Sequence, residues 1–482
     1  MTGRLAAAAV LAALAAGCVS MPPRRAARSE VPIAPEWQAA QVDPDAPVDG
    51  WIDAFGIPEL RRLVAEALER NHDLAAAAAR VEAARAQARI AGADLLPQIG
   101  AGLNGSRQRQ NFIGFPIPGA ERRVLSTTFT RLNLSVDVSW EADLWGRIRA
   151  GKAAAAADAE VARATYRAAR LSLAANVARG WFAVVTARRQ LDLAHRTVES
   201  YRRSAEAVRR RFEAGLRPAL DLRLAEAQLA AAEALQEARR EQLARATRQL
   251  ELLLGRYPEG TIGEDRPLPA PPPRIPGGLP VDLIARRPDI VAAERRLFAA
   301  DARLAAARAS LYPSLRLTGS GGGASDRLRD LLDGDFRVWS LVAGLAQPLF
   351  QGGRLRAGVD LAKASVEEAT AEFAQTVLRA LGEVETALAA EEILRTREEA
   401  LRRALDQSEA AVRLAERQYR EGLIDMPTLL EAQRRALDAE SALLDVRRAR
   451  LDNRVALYLA LGGDLSTAPS GTAARAAAGR NG

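Results

Sequence analysis

The side chains that most often carry chemistry are scarce in this chain. Its 482 residues include one cysteine, Cys18, and two histidines, His72 and His195. One cysteine allows no intrachain disulfide, and two distant histidines beside it make no zinc site of ordinary composition. Nothing in the sequence pairs a nucleophile with a base in the way that covalent catalysis requires. The sequence therefore predicts no enzyme, no metal site and no cofactor apart from a covalent lipid.

That lipid is predicted on Cys18, which follows an apolar run near the amino terminus. The run, residues 5–16, is too short for a permanent membrane anchor and is typical of a signal peptide. The Ala-Ala-Gly-Cys sequence at 15–18 resembles the lipobox of bacterial lipoproteins. This resemblance implies a signal peptide over 1–17, a lipid-modified cysteine and, because Val19 follows, the outer membrane. A simple secretory signal with an incidental cysteine is the alternative.

The chain contains two copies of one design. The segment 68–97 returns about 216 residues later as 284–313, and the turn at Gly215 returns about 207 residues later at Gly422. Such repetition indicates a tubular or pseudo-symmetric assembly rather than a single catalytic pocket. We expect the difference of about nine residues to lie in a loop, and the Pro- and Gly-containing segment 112–123 is the candidate.

Each repeat contains two predicted strands, in β-hairpins over 95–141 and 311–350. The clearest strand ends at Trp140 and alternates apolar with polar residues from position 131. A strand at about 99–108 precedes it, and the second pair covers 311–320 and 338–349, joined by Gly321–Gly323. This alternation fits a soluble sheet with one wet face or a membrane barrel with a watery lumen.

Long helices account for most of each repeat. Helical hairpins are predicted over 146–254 and 353–461, and a rise of 1.5 Å per residue makes each long helix roughly 100 Å. Their apolar residues recur at spacings of three, four and seven, which predicts helix-on-helix packing, with His195 on this seam. The net charge of +8 comes from Arg interleaved with Glu, typical of solvated helix faces rather than a nucleic-acid surface.

The remaining segments organise the chain around these repeats. A polar, Pro-rich tether is predicted over 18–57, followed by a first repeat over 58–254 that opens with one helix from Pro58 to about Gly92. The other predicted segments are a linker over 255–280, a second repeat over 281–461 and a disordered tail over 462–482. Because lipid tolerates no open sheet edge, four strands per chain require oligomerisation, although closure alone accepts two, three or four chains.

The ordered motifs resemble those of a known family. They are Trp-Ile-Asp-Ala-Phe at 51–55, Trp-Glu-Ala-Asp-Leu-Trp-Gly-Arg at 140–147, Ala-Arg-Arg-Pro-Asp-Ile at 285–290, and Pro-Leu-Phe-Gln-Gly-Gly-Arg at 348–354. Together with the two glycine turns, they resemble the TolC-like outer-membrane factors, specifically the lipoprotein branch that serves resistance-nodulation-division efflux pumps. The resemblance covers about 51–461.

The resemblance implies a mainly α protein with a transmembrane β-barrel part. Three chains would form a twelve-stranded barrel in the outer membrane, continued by a twelve-helix α-barrel through the periplasm. The implied function is the exit duct of a tripartite efflux pump, which passively exports small molecules such as drugs. The implied partners are two sister chains, a periplasmic adaptor protein, an inner-membrane resistance-nodulation-division transporter and outer-membrane lipid, with no nucleic acid.

Other functions remain open at this point. An outer-membrane component of type I protein secretion or of metal efflux would share this design. A non-channel periplasmic coiled-coil lipoprotein with a small soluble sheet is the alternative from a different class.

The resemblance assigns the two hairpin turns to the periplasmic end. Gly215 and Leu216 of the first turn, with Gly422 and Leu423 of the second, would meet the adaptor. The simpler interpretation is that they only reverse the chain.

The resemblance also implies a periplasmic gate close to the turns. Tyr419 matches the aromatic residue of the family pattern and Asp221 the first-repeat acid, so their side chains would bond across neighbouring hairpins. Glu431 matches a distal acid and would give a ring of carboxylates facing the lumen. Tyr419 as a seam residue and Glu431 as a solvated helix residue are the alternatives.

Two positions depart from that pattern. Ile424 replaces a basic residue and Thr428 replaces the nearer acid, so we expect fewer ionic links, with Asp425 taking part.

Trp140 and Trp339 are predicted as aromatic residues at the membrane interface. Trp145 would serve there too, or pack where strand meets helix.

Overall fold

The computed structural model describes residues 34–39, 42–43, 46, 48–112, 125–262, 266–277 and 280–465. Cys18, the predicted signal peptide 1–17 and segment 113–124 lie outside these ranges. In chain order, the helices and strands are α1 (Trp51–Ala54), α2 (Pro58–Arg70), α3 (His72–Ala93), β1 (Gln98–Phe112), β2 (Leu125–Ala142), α4 (Arg147–Glu213), α5 (Ala219–Leu253), α6 (Leu283–Arg286), α7 (Pro288–Ala309), β3 (Ser314–Ser325), β4 (Arg337–Ala346), α8 (Arg354–Glu421) and α9 (Met426–Ala460).

The chain divides into two compact units. The sheet unit contains Val81–Val161 and Ala293–Glu372, and the hairpin unit contains Glu30–Arg80, Ala162–Ala292 and Phe373–Gly482. Each unit draws on both repeats. Among the described residues, no helix is long and apolar enough to cross a membrane.

The sheet unit contains one antiparallel sheet with the strand order β1-β2-β3-β4. Its ladders are continuous, from Gln98 opposite Ser139 in the first pair to Ser314 opposite Ala346 in the last. β1 and β4 are therefore the two edges of this sheet. All ten residues of β4 are exposed, including its leucine and valine side chains.

The prediction that Gly321–Gly323 connect two strands is wrong, because all three lie inside β3. They pair with Val136, Ser135 and Leu134 of β2. A Cβ atom on Gly322 would lie 1.9 Å from the backbone oxygen of Leu134. Close backbone approach thus explains a glycine within this strand, where a glycine-rich run otherwise indicates a loop.

The expectation that the extra residues of the first repeat lie in a loop is also wrong. Most of these residues lengthen its two strands. β1 and β2 contain 15 and 18 residues, whereas β3 and β4 contain 12 and 10. A β-hairpin can lengthen by adding hydrogen-bonded residues to both strands, and these additions keep the period-two alternation intact. The predicted strand 338–349 likewise ends earlier, at Ala346.

The hairpin unit has an aromatic core that includes the short helix α1. Trp51 stacks on Tyr458 with ring centroids 5.8 Å apart, and Phe55 lies 5.4 Å from Phe182. The predicted tether 18–57 therefore ends in core residues rather than in free chain. Further upstream in the tether, the backbone amides of Gln38 and Ala39 each donate to the Glu385 carboxylate of α8 at 2.9 Å.

The start of the predicted disordered tail is ordered. The backbone amide of Gly50 donates to Asp464 O at 2.8 Å, and the amide of Gly463 donates to Tyr458 O at 3.0 Å. The sequence indicated a tail because these residues are small and polar. The second of these bonds closes the end of α9, and the first joins Asp464 to a residue near the other end of the described chain, which local composition does not encode.

The helix predicted from Pro58 to Gly92 is broken at Asn71, which separates α2 from α3. The Asn71 side chain accepts from the amide of Leu74 and donates to Leu253 O, both at 3.0 Å. An asparagine that caps the next helix ends the previous one, because its own backbone is extended.

The predicted seam of α4 is wrong at two positions. His195 is exposed, while its neighbours Leu193 and Ala194 are buried, and Phe212 at the end of the helix is 39% exposed. Val198, Tyr201 and Val208, which follow His195 in the same seam, are buried, so the departure is local to these two positions.

Candidate functional site

The two helical hairpins, α4–α5 and α8–α9, end in turns of the same construction. Gly215 and Gly422 have φ values of 74° and 78°, in the left-handed region where a side chain would be strained. The amides of Leu216 and Leu423 each donate over 2.8 Å to the carbonyl five residues earlier, which closes the helix end. Their side chains are 72% and 69% exposed.

Behind the turns, both hairpins share one apolar cluster, which we call the tip cluster. Its buried members are Ala205, Val208, Leu222, Ala225, Ala415, Tyr419, Met426 and Leu429. Ile424 packs against this cluster. The position where the family pattern has a basic residue thus contributes apolar contact in this chain, and the two tips pack together.

Tyr419 and Asp221 are both buried at this cluster, as the gate assignment requires. The Tyr419 hydroxyl makes no hydrogen bond of regular geometry among the described residues, although the Asp221 carboxyl lies close enough to act on it. Burial, and then the nearby charge of Asp221, raises the pKa of Tyr419, so this hydroxyl is neutral at physiological pH. The structure brings the two residues together, and the hydrogen bond between them stays a prediction.

Arg217 links these two residues instead. Its guanidinium carbon lies 4.6 Å from the centroid of the Tyr419 ring, within the range of a cation–π contact. Its Nη2 donates to the backbone oxygen of Tyr419 at 3.2 Å, and its Nη1 lies 3.9 Å from Asp221 Oδ2. One side chain of the first turn therefore holds the last helical turn of α8.

Sequence reasoning missed Arg217 although a signal was present. Arg217 lies two residues after Gly215, which is the place that Ile424 occupies after Gly422. The family pattern directed attention to the second turn alone. Comparing the two repeats position by position would have found the cation in the first turn.

Asp425 caps helix α9. Its Oδ1 accepts from the amide of Thr428 at 3.0 Å and from the Thr428 hydroxyl at 2.5 Å. These hydrogen bonds lower the pKa of Asp425 and satisfy an amide that the helix leaves free at its start. The pairing also explains the threonine at 428, where the family pattern has an acid.

Glu431 forms ion pairs along its own helix. Its carboxylate accepts from Arg434 and Arg435, both at 2.7 Å. The hydrogen bonds from Arg435 and then Arg434 lower the pKa of Glu431. The predicted ring of three carboxylates involves sister chains and stays a prediction.

The tryptophans of the sheet unit have different environments. The indole of Trp140 donates to Leu95 O at 3.0 Å, and that of Trp145 donates to Pro313 O at 2.7 Å while its ring stacks on Tyr312. Both are tied to backbone where strands meet helices. Trp339 on β4 is 82% exposed, as a residue in contact with lipid would be.

The described part of the chain contains no cluster of His, Cys, Asp and Glu side chains that could hold a metal ion. His72 and His195 are both exposed. The arrangement at the tips offers packing and electrostatic contacts between hairpins rather than groups for bond chemistry.

Comparison with known proteins identifies the class. Residues 63–256 and 279–463 match the outer membrane efflux protein family. The chain is 36% identical over 465 residues to outer membrane protein OprJ of Pseudomonas aeruginosa, covering 94% of this chain and 95% of that protein. It is 32% identical over 476 residues to the antibiotic efflux pump outer membrane protein ArpC of Pseudomonas putida, covering 96% of each.

A solved structure agrees with these relatives. The open state of the MtrE outer membrane channel of Neisseria gonorrhoeae has a TM-score of 0.79 at 31% identity, covering 93% of this chain and 99% of that one. The chain therefore belongs to the outer membrane efflux protein family. It is an efflux channel protein of the outer membrane that extends into the periplasm, and this family is one of transport proteins rather than enzymes.

Proposed function

We propose that three copies of this chain form the exit duct of a tripartite efflux pump that passively exports small molecules such as drugs. The observation that carries the proposal is the four-stranded sheet with β1 and β4 as its edges, on the same chain as two long helical hairpins. A sheet edge in lipid must find a partner, and β4 exposes the apolar side chains of Val338, Trp339, Leu341, Val342 and Leu345.

Pairing β1 of one copy with β4 of the next supplies those partners. Three copies would give a twelve-stranded barrel and twelve helices from the hairpins. Trp339 would lie at the membrane interface of this barrel. We further propose that Cys18 carries the lipid that anchors each copy in the outer membrane.

The hairpin tips would be the contact with the rest of the pump. Leu216 and Leu423 expose apolar side chains on turns of fixed shape, which suits docking of a periplasmic adaptor protein. An inner-membrane resistance-nodulation-division transporter would supply the energy, since a passive duct has none of its own. Drug export is proposed because ArpC, which covers 96% of this chain, is named for an antibiotic efflux pump.

The gate is proposed at the tip cluster, where Tyr419 and Asp221 are buried between the two hairpins. Separation of the hairpins would widen the tip and disrupt this packing. Asp425 and Glu431 lie on the second hairpin in the same region and complete the proposed set of acidic gate residues.

Planar-bilayer recording of the purified, detergent-solubilised protein tests the proposal, together with its native mass. We expect a trimer that inserts discrete channels, and restored drug tolerance in cells whose own outer-membrane component has been deleted. A matched variant with Leu341→Arg on β4 should lose insertion, because this side chain would face lipid. A water-soluble protein that inserts no channels would instead support the coiled-coil spacer.

A further inference from the structure

We propose that Arg217 is the cationic clamp of the closed gate, acting on the face of the Tyr419 ring rather than on its hydroxyl. This inference rests on the proposed function as a gated duct. It assigns the cation to the first turn of this chain, whereas the second turn has Ile424 at the equivalent place. The charged and aromatic parts of the clamp thus come from different repeats.

Two of the three contacts of Arg217 cross the boundary between the two hairpins. The guanidinium covers the ring face at 4.6 Å and donates to Tyr419 O at 3.2 Å, while Asp221 on its own hairpin lies 3.9 Å away. Asp221 therefore orients the arginine, and the arginine holds the end of α8. A planar guanidinium can stack and donate at once, which an ammonium cannot do equally well.

The surroundings favour a strong contact. The Arg217 side chain is only 20% exposed, and the tip cluster beneath it is apolar. A cation–π contact gains strength when water is excluded from it. The Tyr419 hydroxyl, in contrast, makes no hydrogen bond of regular geometry among the described residues, so the ring face is where Arg217 acts.

Opening must disrupt this clamp if the second hairpin moves away from the first. The backbone oxygen of Tyr419 belongs to the last turn of α8, next to the glycine turn, so displacement of that turn separates it from Arg217. Arg217 is thus a positioning residue for the closed state. Its loss should change the ratio of open to closed channels without preventing assembly.

Single-channel recording of Arg217→Gln and Arg217→Lys trimers tests this assignment, with entry of a large antibiotic into cells as a second readout. We expect Arg217→Gln to raise the ratio of open to closed states about 5-fold to 30-fold, which corresponds to the loss of one such contact. Arg217→Lys keeps the charge and should lie closer to the wild type. Arg223→Gln is the matched control, because this exposed arginine pairs only within its own helix.

Substitutions of Tyr419 distinguish the ring from the hydroxyl. Tyr419→Phe should stay within about twofold of the wild type, whereas Tyr419→Leu should open the channel as Arg217→Gln does. Combining Tyr419→Leu with Arg217→Gln should add little, since both remove the same contact.

Three outcomes would overturn the assignment. If the wild type forms channels and Arg217→Gln has the same ratio of open to closed states, the clamp is rejected while the proposed duct stands. Equal effects of Tyr419→Phe and Tyr419→Leu would return the gate to the hydroxyl. A wild-type protein that forms no channels would reject the duct itself, and the clamp with it.

Discussion

The first helical hairpin, α4–α5, and the second, α8–α9, have nearly the same dimensions. Their long helices contain 67 and 68 residues, and their return helices contain 35 each. Equivalent positions are 207 residues apart, as for Gly215 and Gly422. Because the backbones match so closely, differences between equivalent side chains show what each hairpin has to hold.

Near the base, the first hairpin is held by apolar packing. Val184 of α4 is buried beside Trp181 and Phe182, and Leu250 packs in the same cluster. Thr247 of α5 is also buried, and its hydroxyl donates to a carbonyl of its own helix at 2.8 Å.

The second hairpin has charged residues at the same places. Glu391 is equivalent to Val184 and Arg454 to Thr247, and these two buried side chains form an ion pair at 2.7 Å. Arg454 also donates to Pro272 O at 2.5 Å and to Arg274 O at 2.8 Å, both in the linker. The arginine thus ties the hairpin to the segment that joins the two repeats.

The difference sets an apolar contact in one hairpin against an ion pair at the equivalent place in the other. A buried ion pair adds little stability over an apolar pair of similar volume, but loss of one partner is costly. Both hairpins reach the linker through a buried charged side chain. Glu251 of α5 accepts from the amides of Gly260 and Thr261 at 2.7 and 2.8 Å, whereas Arg454 of α9 donates to linker carbonyls. The two hairpins therefore differ in the charge they present to the linker, a carboxylate for amides and a guanidinium for carbonyls.

The tips differ in the same manner. Phe212 and Tyr419 are equivalent, yet the first is 39% exposed and the second is 6% exposed. Their turns carry Arg217 and Ile424 at equivalent places. The first turn therefore supplies a cation, and the second supplies an apolar side chain that packs in the tip cluster. Two identical turns could not have made this asymmetric contact.

The largest expected effect is from Glu391→Val, which gives the second hairpin the residue of the first. It would leave the Arg454 charge buried without its carboxylate, at a cost of about 3–5 kcal/mol in local opening free energy. Hydrogen exchange of α8 and α9 in the purified protein measures this cost. Adding Arg454→Thr should recover part of it, and Glu392→Val on the exposed face is the matched control. Equal effects of the two valine substitutions would contradict the ion-pair interpretation.

A smaller effect is expected from pH, through Glu398. Burial opposes ionisation of this carboxyl, but hydrogen bonds from Arg450 and then Arg447 outweigh burial and lower its pKa below 4.5. A carboxyl with a lowered folded pKa stabilises the fold above its ordinary pKa, and that contribution is lost as pH falls through the folded pKa.

Thermal unfolding of the wild type and of Glu398→Gln should therefore differ at neutral pH and converge below 4.5. The equivalent residue in the first hairpin is Leu191, so the effect should be confined to α8 and α9. A difference between the two proteins that is constant from neutral to acidic pH would refute this origin.

The smallest effect is expected from Asp425→Ala, which removes the cap of α9. Loss of such a cap costs about 1 kcal/mol, and faster exchange of the first amides of α9 would report it. Asp425→Asn should keep the cap while removing the charge, which separates capping from any part in the gate. The equivalent residue Pro218 makes no side-chain cap, so Pro218→Ala should not increase exchange at the start of α5. Faster exchange at the start of α5 in Pro218→Ala would contradict the difference in capping between α5 and α9.

Comparison of prediction with structure shows a consistent division. The long helices and both glycine turns were predicted because helical periodicity and positive-φ glycines are local features. Gly321–Gly323 were assigned to a loop because local composition suggested one, whereas their place in β3 depends on the approach of Leu134 from the other repeat. The extra residues of the first β-hairpin are predicted in a loop but lie in its strands for a similar reason. A strand and a loop of equal length differ only in their hydrogen bonds to a neighbouring strand.

The sequence by itself determined the two repeats, their helices and the positions of their turns, because each is written in short-range patterns that recur. Only the tertiary structure decided which member of an equivalent pair is buried, Tyr419 rather than Phe212, and which turn supplies the cation, Arg217 rather than position 424. These choices depend on contacts between residues about 200 positions apart. A pattern repeated in both halves of a chain cannot specify which half packs inward, since burial is decided by the neighbours that folding brings together.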